Sequence, residues 1–293
     1  MKNFITRAIT GIIFVSLIIG SILLGEAVCG SLFLIFSLLA TKEYCSIINK
    51  LPNVRLNWVV ACICTLIFYV SSLLFVTSLT GPYLPFQLRS LGFLIYIIGI
   101  ILAELLTFKE EQSLHNIAYY IFGQVVVTIP FSLLSFINSI NLHFSNFDLP
   151  MLIFFFACIW LNDTGAYLFG TAFGKHKMAP NISPKKSWEG FVGGIFLVTF
   201  ISTLLWVFNL LGIKYIFYSI IISLAATVGD LLESVFKRRS GVKDSGNLLP
   251  GHGGVLDRVD SLIFSAIFSS IFICFILSFC FFFDSSLKKK IMW

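Results

Sequence analysis

"LLPGHGGVLDRVDSLIFSAIFSSIFICFILSFCFFF", residues 248–283, places a glycine-rich turn and two aspartates at the mouth of an apolar run. From Leu262 onward the run carries no charge, and it is long enough to cross a bilayer, whose hydrocarbon core takes about 20 helical residues. Asp257 and Asp260 therefore stand at a membrane boundary. A carboxylate there is costly and needs a partner or a cation.

The rest of the chain has the same character. Its 293 residues are 58% hydrophobic and only 12% charged, and a mean hydropathy of +0.96 excludes an ordinary soluble domain. Apolar runs at 9–24, 27–44, 58–79, 91–108, 117–140, 150–170, 191–211, 215–233 and 255–283 predict an all-α, polytopic membrane protein of about nine helices. The first two runs are short and almost abut, which suits a tight hairpin or a tilted pair. Residues 1–30 have the basic start and apolar middle of a secretory signal, but no small-x-small cleavage site follows, so they read as a retained first helix. The seven cysteines lie in or beside apolar runs without metal-ligand spacing and read as packing residues.

With nine alternating spans, all of the 20 basic residues except Arg89, Lys214 and Lys288 to Lys290 fall on one side. That side is then cytoplasmic, in the plasma (inner) membrane of a cell, and the tail lysines fit this badly. The net charge of +6 lies in loops beside lipid; membrane lipids are expected partners, and nucleic acid is not. Ionisable residues inside helices concentrate after Met151: Asp163, Asp230, Glu233, Asp257 and Asp260. Residues 1–149 accordingly read as scaffold helices and 150–293 as the catalytic region, with Glu104 an unexplained acid in the first half.

Asp257 and Asp260 are three residues apart, one helical turn, and can face one centre. The plain alternative is a pair of acids favoured by a helix N-terminus. Asp230, in "GDLLES", supplies a third carboxylate if its helix packs antiparallel against the last one. Hard oxygen ligands suit magnesium, which usually takes one or two carboxylates and completes its shell with water and substrate phosphates. Between these helices Lys237, Arg238, Arg239 and Lys243 precede Gly246, Gly251, Gly253 and Gly254. Cations beside glycines, whose backbone N–H groups can approach an oxyanion, suit a polyphosphate. Asn162 and Asp163, followed by Lys186 and Ser187 in "SPKKSWEG", are placed to complete the pocket from across it.

These segments resemble the phosphatidate cytidylyltransferases, or CDP-diacylglycerol synthases. Ser234, Lys237-Arg238, Lys243-Asp244, Gly246, Leu249-Pro250, His252-Gly253-Gly254 and Asp257-Arg258-Val259-Asp260 match that family's signature in order, and the likeness extends over residues 162–261. The resemblance implies cytidylyl transfer from CTP to phosphatidate, with pyrophosphate released, in a membrane protein that commonly pairs as a homodimer. It assigns magnesium, alone or with a second cation, to Asp230, Asp257 and Asp260. Lys237, Arg258 and Lys243 would bind phosphates, with Arg238 beside them, while Lys186, Ser187 and Ser234 orient substrate and Asp244 and His252 steady the loop. Two other readings remain: a CTP-dependent lipid kinase of the polyprenol type, and an ion-coupled transporter that uses the buried acids as ion sites.

Overall fold

The computed structural model describes residues 2–79, 98–99, 113–140, 149–242, 244–246, 248 and 253–283. The expected span at 91–108 with Glu104, the C-terminal lysines, Lys243 and His252 lie outside the described residues.

The chain is a helical membrane protein, as an apolar backbone in lipid must be, since only helices or closed barrels satisfy every N–H and C=O internally. Helices α1 (Lys2–Leu23) and α2 (Glu26–Ile48) form the tight hairpin that the sequence suggests. Gly25, at φ 110°, makes the turn between them. After α3 (Trp58–Leu79), α4 (Ser113–Gly123) runs through a π-helical turn, Gln124–Thr128, into α5 (Ile129–Ser139). Pro130 has no N–H to return to the preceding turn, which accounts for the widened backbone. Next come α6 (Met151–Phe173), a two-stranded antiparallel hairpin of β1 (Lys177–Ala179) and β2 (Ser183–Ser187), then α7 (Trp188–Val207), α8 (Lys214–Arg239) and α9 (Leu256–Phe283). The hairpin departs from the all-α expectation: its short polar strands carry no apolar alternation by which to foresee it. Among the described residues six helical stretches have the length and composition to span a membrane: Glu26–Ile48, His115–Ser139, Met151–Phe173, Trp188–Val207, Lys214–Arg239 and Leu256–Ser278.

Lipid offers no hydrophobic reward for helix association, so close packing and small residues must hold the bundle. Helices α6 and α7 meet through Gly165, Gly190, Gly193 and Gly194: a methyl group on Gly165 would come within 3.0 Å of the Gly193 carbonyl. Helices α8 and α9 run antiparallel, because Tyr218 Oη meets Ser269 Oγ at 2.6 Å while Gly229 lies against Asp260 and Ser261 near the other end. The residues before 149 are not set apart from the rest, since α5 packs on α9 and α2 on both. Phe33, Phe155, Phe156, Tyr69, Leu134 and Tyr218 are fully buried between the helices.

Candidate active site

Two helix termini create the site. Helix α8 closes with Gly241 at φ 70°. The Val242 N–H bonds to the Lys237 carbonyl at 2.9 Å and the Gly241 N–H to that of Arg238 at 3.1 Å, a Schellman closure. Lys237, Arg238 and Arg239 stand in this last turn, where the helix dipole favours cations. Helix α9 opens with Asp257 in its first turn, where the dipole favours an anion. Gly253, at φ 86°, leads the chain into it.

The packing of α8 on α9 depends on one close approach. A Cβ on Gly229 would lie 2.6 Å from the Asp260 carbonyl oxygen. The neighbouring Asp230 therefore comes beside Asp260, and a cavity of about 300 Å³ opens onto Asp163, Asp230, Asp257, Arg258 and Asp260, walled by Phe14 and Thr10 of α1 and by Phe156 and Trp160 of α6. A second cavity, of about 270 Å³, shares Asp163 and Asp230 with the first. It is bounded by Asp163 and Asp230, by Lys185, Lys186 and Ser187 of the hairpin, and by Tyr167 and Thr227. Asp163 and Asp230 thus line both chambers, one that sets an apolar wall from α1 and α6 against a cluster of acids, the other bounded by the lysines of the hairpin. The basic loops before α7 and after α8 meet here, for Lys186 Nζ pairs with Asp230 Oδ2 at 2.6 Å and Arg238 Nε donates to the Ile182 carbonyl at 3.4 Å.

Asp257 and Asp260 have different partners. Asp257 Oδ1 accepts from Lys237 Nζ at 2.8 Å and from the Ser245 N–H, while Oδ2 accepts from the N–H groups of Ser245 and Gly254 at 2.9 and 2.8 Å. These donors make Asp257 an organiser of the loop in this arrangement. Lys237, expected on phosphates, is held between Asp257 and Glu233. Only 12% of its side chain is exposed. Asp260 Oδ1 accepts from its neighbour, from the Ser261 N–H at 2.6 Å and from Ser261 Oγ at 3.2 Å. Ser234 Oγ donates to Asp230 Oδ1 at 3.4 Å.

Asn162 is buried, and its Oδ1 accepts from Ser223 Oγ at 2.5 Å, so it ties α6 to α8 at the edge of the second chamber. Ser187 caps α7 by accepting from the Gly190 N–H at 3.2 Å. Arg258 is exposed and lines the first chamber. Asp244 is exposed beside the loop, and Gly253 and Gly254 pack against Asp257 and Ser245. Glu233, one of the intrahelical acids noted in the sequence, is the buried counter-charge of Lys237. Two contributors escaped the sequence reading: Ser245 bonds Asp257, and Glu43 reaches over from α2. Glu43 carried a signal nonetheless, being an acid within an apolar helix.

No three His, Cys, Asp or Glu side chains among the described residues form a ready metal cage. The donor set nevertheless suits a hard cation. Asp163, Asp230 and Asp260 offer oxygens to one space, and the Lys186 ammonium already stands against Asp230, where a counter-charge belongs.

The chain matches the family model described as "Cytidylyltransferase family" over residues 5–276. A phosphatidate cytidylyltransferase of Staphylococcus aureus is 35% identical over 266 residues, covering 88% of this chain and 94% of the relative. One of Staphylococcus saprophyticus is 41% identical over 181 residues, 61% of this chain and 66% of the relative. One of Haemophilus influenzae is 50% identical over 119 residues, 38% of this chain and 41% of the relative.

Proposed function

Since the chain belongs to the cytidylyltransferase family and is a nucleotidyltransferase, we propose how its two chambers divide the labour of the reaction. The enzyme transfers the cytidylyl group of CTP to phosphatidate and yields CDP-diacylglycerol and pyrophosphate. The observation that carries the division is that Asp163 and Asp230 line two chambers, one with an apolar wall of Phe14, Phe156 and Trp160 and one with Lys185 and Lys186. Phosphatidate enters the first, with acyl chains along Phe14, Phe156 and Trp160 and its phosphate beside Arg258. The triphosphate of CTP enters the second, beside Lys185 and Lys186.

The chemistry needs no protein nucleophile. A phosphate monoester has its second pKa near 6, so the lipid brings an anionic oxygen at neutral pH. That oxygen attacks the α-phosphorus of CTP; a P–O bond forms, the bond from the α-phosphorus to the oxygen bridging the β-phosphorus breaks, and pyrophosphate departs with that oxygen. What the protein must supply is alignment and positive charge. Asp230, Asp260 and Asp163 would hold magnesium, alone or with a second cation, which when bound neutralises phosphate oxygens and the leaving group. Lys186 shifts from Asp230 to the nucleotide phosphates, Arg258 steadies the lipid phosphate, and the Glu233–Lys237–Asp257 chain keeps the loop in place. The site faces the cytoplasm of the plasma membrane, a reading supported by the basic residues of the two loops that meet there.

A split in apparent affinities tests the division. Lys186→Gln should raise the KM for CTP about tenfold, and Thr10→Phe, which fills the first chamber, the KM for phosphatidate about tenfold, each near 1.4 kcal/mol. The reverse pattern refutes the assignment.

A further inference from the structure

The turn that carries the site is held from outside the catalytic half of the chain. Glu43, near the end of α2, points its carboxylate at the opening of α9. Its Oε1 accepts from the Val255 N–H at 3.0 Å, and its Oε2 accepts from the Leu256 N–H at 2.9 Å and from Ser245 Oγ at 3.3 Å. The first N–H groups of a helix have no partner within it, and here a carboxylate from more than 200 residues away in sequence takes two of them.

Two glycines of the turn make room for this group. A Cβ on Gly246 would lie 2.8 Å from Glu43 Oε1, and one on Gly254 would collide with both Glu43 Oε2 and Ser245 Oγ. These glycines form a socket for the acid. The helix that presents Glu43 is itself fixed: the adjacent Tyr44 stacks on Phe236 of α8 with ring centroids 5.7 Å apart and donates its hydroxyl to the Tyr119 carbonyl at 2.7 Å. From Glu43 the contacts lead inward. Ser245 Oγ, which donates to Glu43, also accepts from the Asp257 N–H at 3.2 Å, and Asp257 holds Lys237.

Taking cytidylyl transfer as its premise, we propose that Glu43 is a positioning residue of the reaction: its carboxylate seats in the Gly246–Gly254 socket and sets where the start of α9 presents Asp257 to Lys237 of α8. Helix α2 is then part of the catalytic apparatus, although it contributes nothing to the two substrate chambers. A glutamine keeps the size of the side chain but sets an amide N–H₂ against donors, and an aspartate keeps the charge but withdraws it by one methylene.

The test uses the full chain in detergent, with amide hydrogen exchange and steady-state kinetics measured on the same preparations. In Glu43→Gln, exchange at Val255 and Leu256 should quicken roughly 10- to 100-fold, as loss of bonds to a charged acceptor implies, while the interior of α9 stays protected. Turnover should fall on the order of 10- to 100-fold, with the KM values for CTP and phosphatidate changed less than about threefold. Glu43→Asp, the milder variant should the glutamine form fold poorly, should lie between the two. Combining Glu43→Gln with Ser245→Ala should cost no more than the larger single change, because the two act as a unit. Unchanged exchange at Val255 and Leu256 overturns the proposal, as do exchange raised along the whole chain, unaltered turnover with a loosened turn, or additive effects in the double variant. Parent protein that makes no CDP-diacylglycerol would instead overturn the assigned reaction, and the exchange arm would still decide whether Glu43 holds the turn.

Discussion

Replacing Asp257 and Asp260 separately by asparagine should produce two different proteins, although the residues are one helical turn apart. The Asp257 side chain is only 7% exposed, and it accepts from Lys237 at 2.8 Å and from the N–H groups of Ser245 and Gly254. Asparagine there leaves Lys237 and Glu233 without their third partner and turns one acceptor into a donor aimed at backbone N–H groups. Breaking a buried pair costs about 3–5 kcal/mol; with Glu233 still beside Lys237, roughly 2–4 kcal/mol is expected here. That corresponds to an apparent melting temperature lower by at least about 5 °C. Turnover should fall on the order of 100-fold through displacement of the loop. Asp260 bonds, among the described residues, to its neighbour Ser261 and shares its chamber with Asp163 and Asp230. Asparagine there relieves like-charge repulsion, so thermal stability should be kept or raised while turnover drops on the order of 10²–10³-fold. Thermal unfolding in detergent, followed by tryptophan fluorescence, and transfer of labelled cytidylate measure both quantities. Equal destabilisation by the two substitutions, or an Asp257→Asn protein as stable and active as the parent, would refute the separation of roles.

Two further outcomes follow from the site. Gly229→Ala should push α9 from α8 against the Asp260 carbonyl, costing about 1–3 kcal/mol by overpacking and a loss of turnover; an alanine form with full activity would show that the close approach does not matter. Chelation of divalent cations should abolish turnover and added magnesium restore it, whereas undiminished turnover in excess chelator would remove magnesium from the account.

Much of this was legible because lipid simplifies the code. Apolar runs mark the spans, and the short link after Arg239 predicts that α8 and α9 lie side by side, as they do. Acids inside apolar helices pointed to Asp163, Asp230 and Asp260, which meet at one cavity. What spacing could not reveal is how neighbours divide tasks. Asp257 and Asp260 share a helical face, yet only the structure shows the loop folding back on the former. The resemblance puts Lys237 on phosphates, but the sequence does not show that Glu233 one turn before it and Asp257 across the loop hold its ammonium. The hairpin of β1 and β2 was invisible because polar strands that short bury no alternating face. Glu43 shows in the sequence only as an acid within an apolar helix; its role could not be read there, since its partners are more than 200 positions away.

The central claim is cytidylyl transfer to phosphatidate, and the fate of the α-phosphate tests it most directly. Purified protein given phosphatidate, magnesium and CTP labelled at the α-phosphate should place the label in a lipid that migrates as CDP-diacylglycerol, with pyrophosphate released in equal amount. Label recovered only in CDP, with the γ-phosphate on the lipid, would contradict the account and identify a lipid kinase.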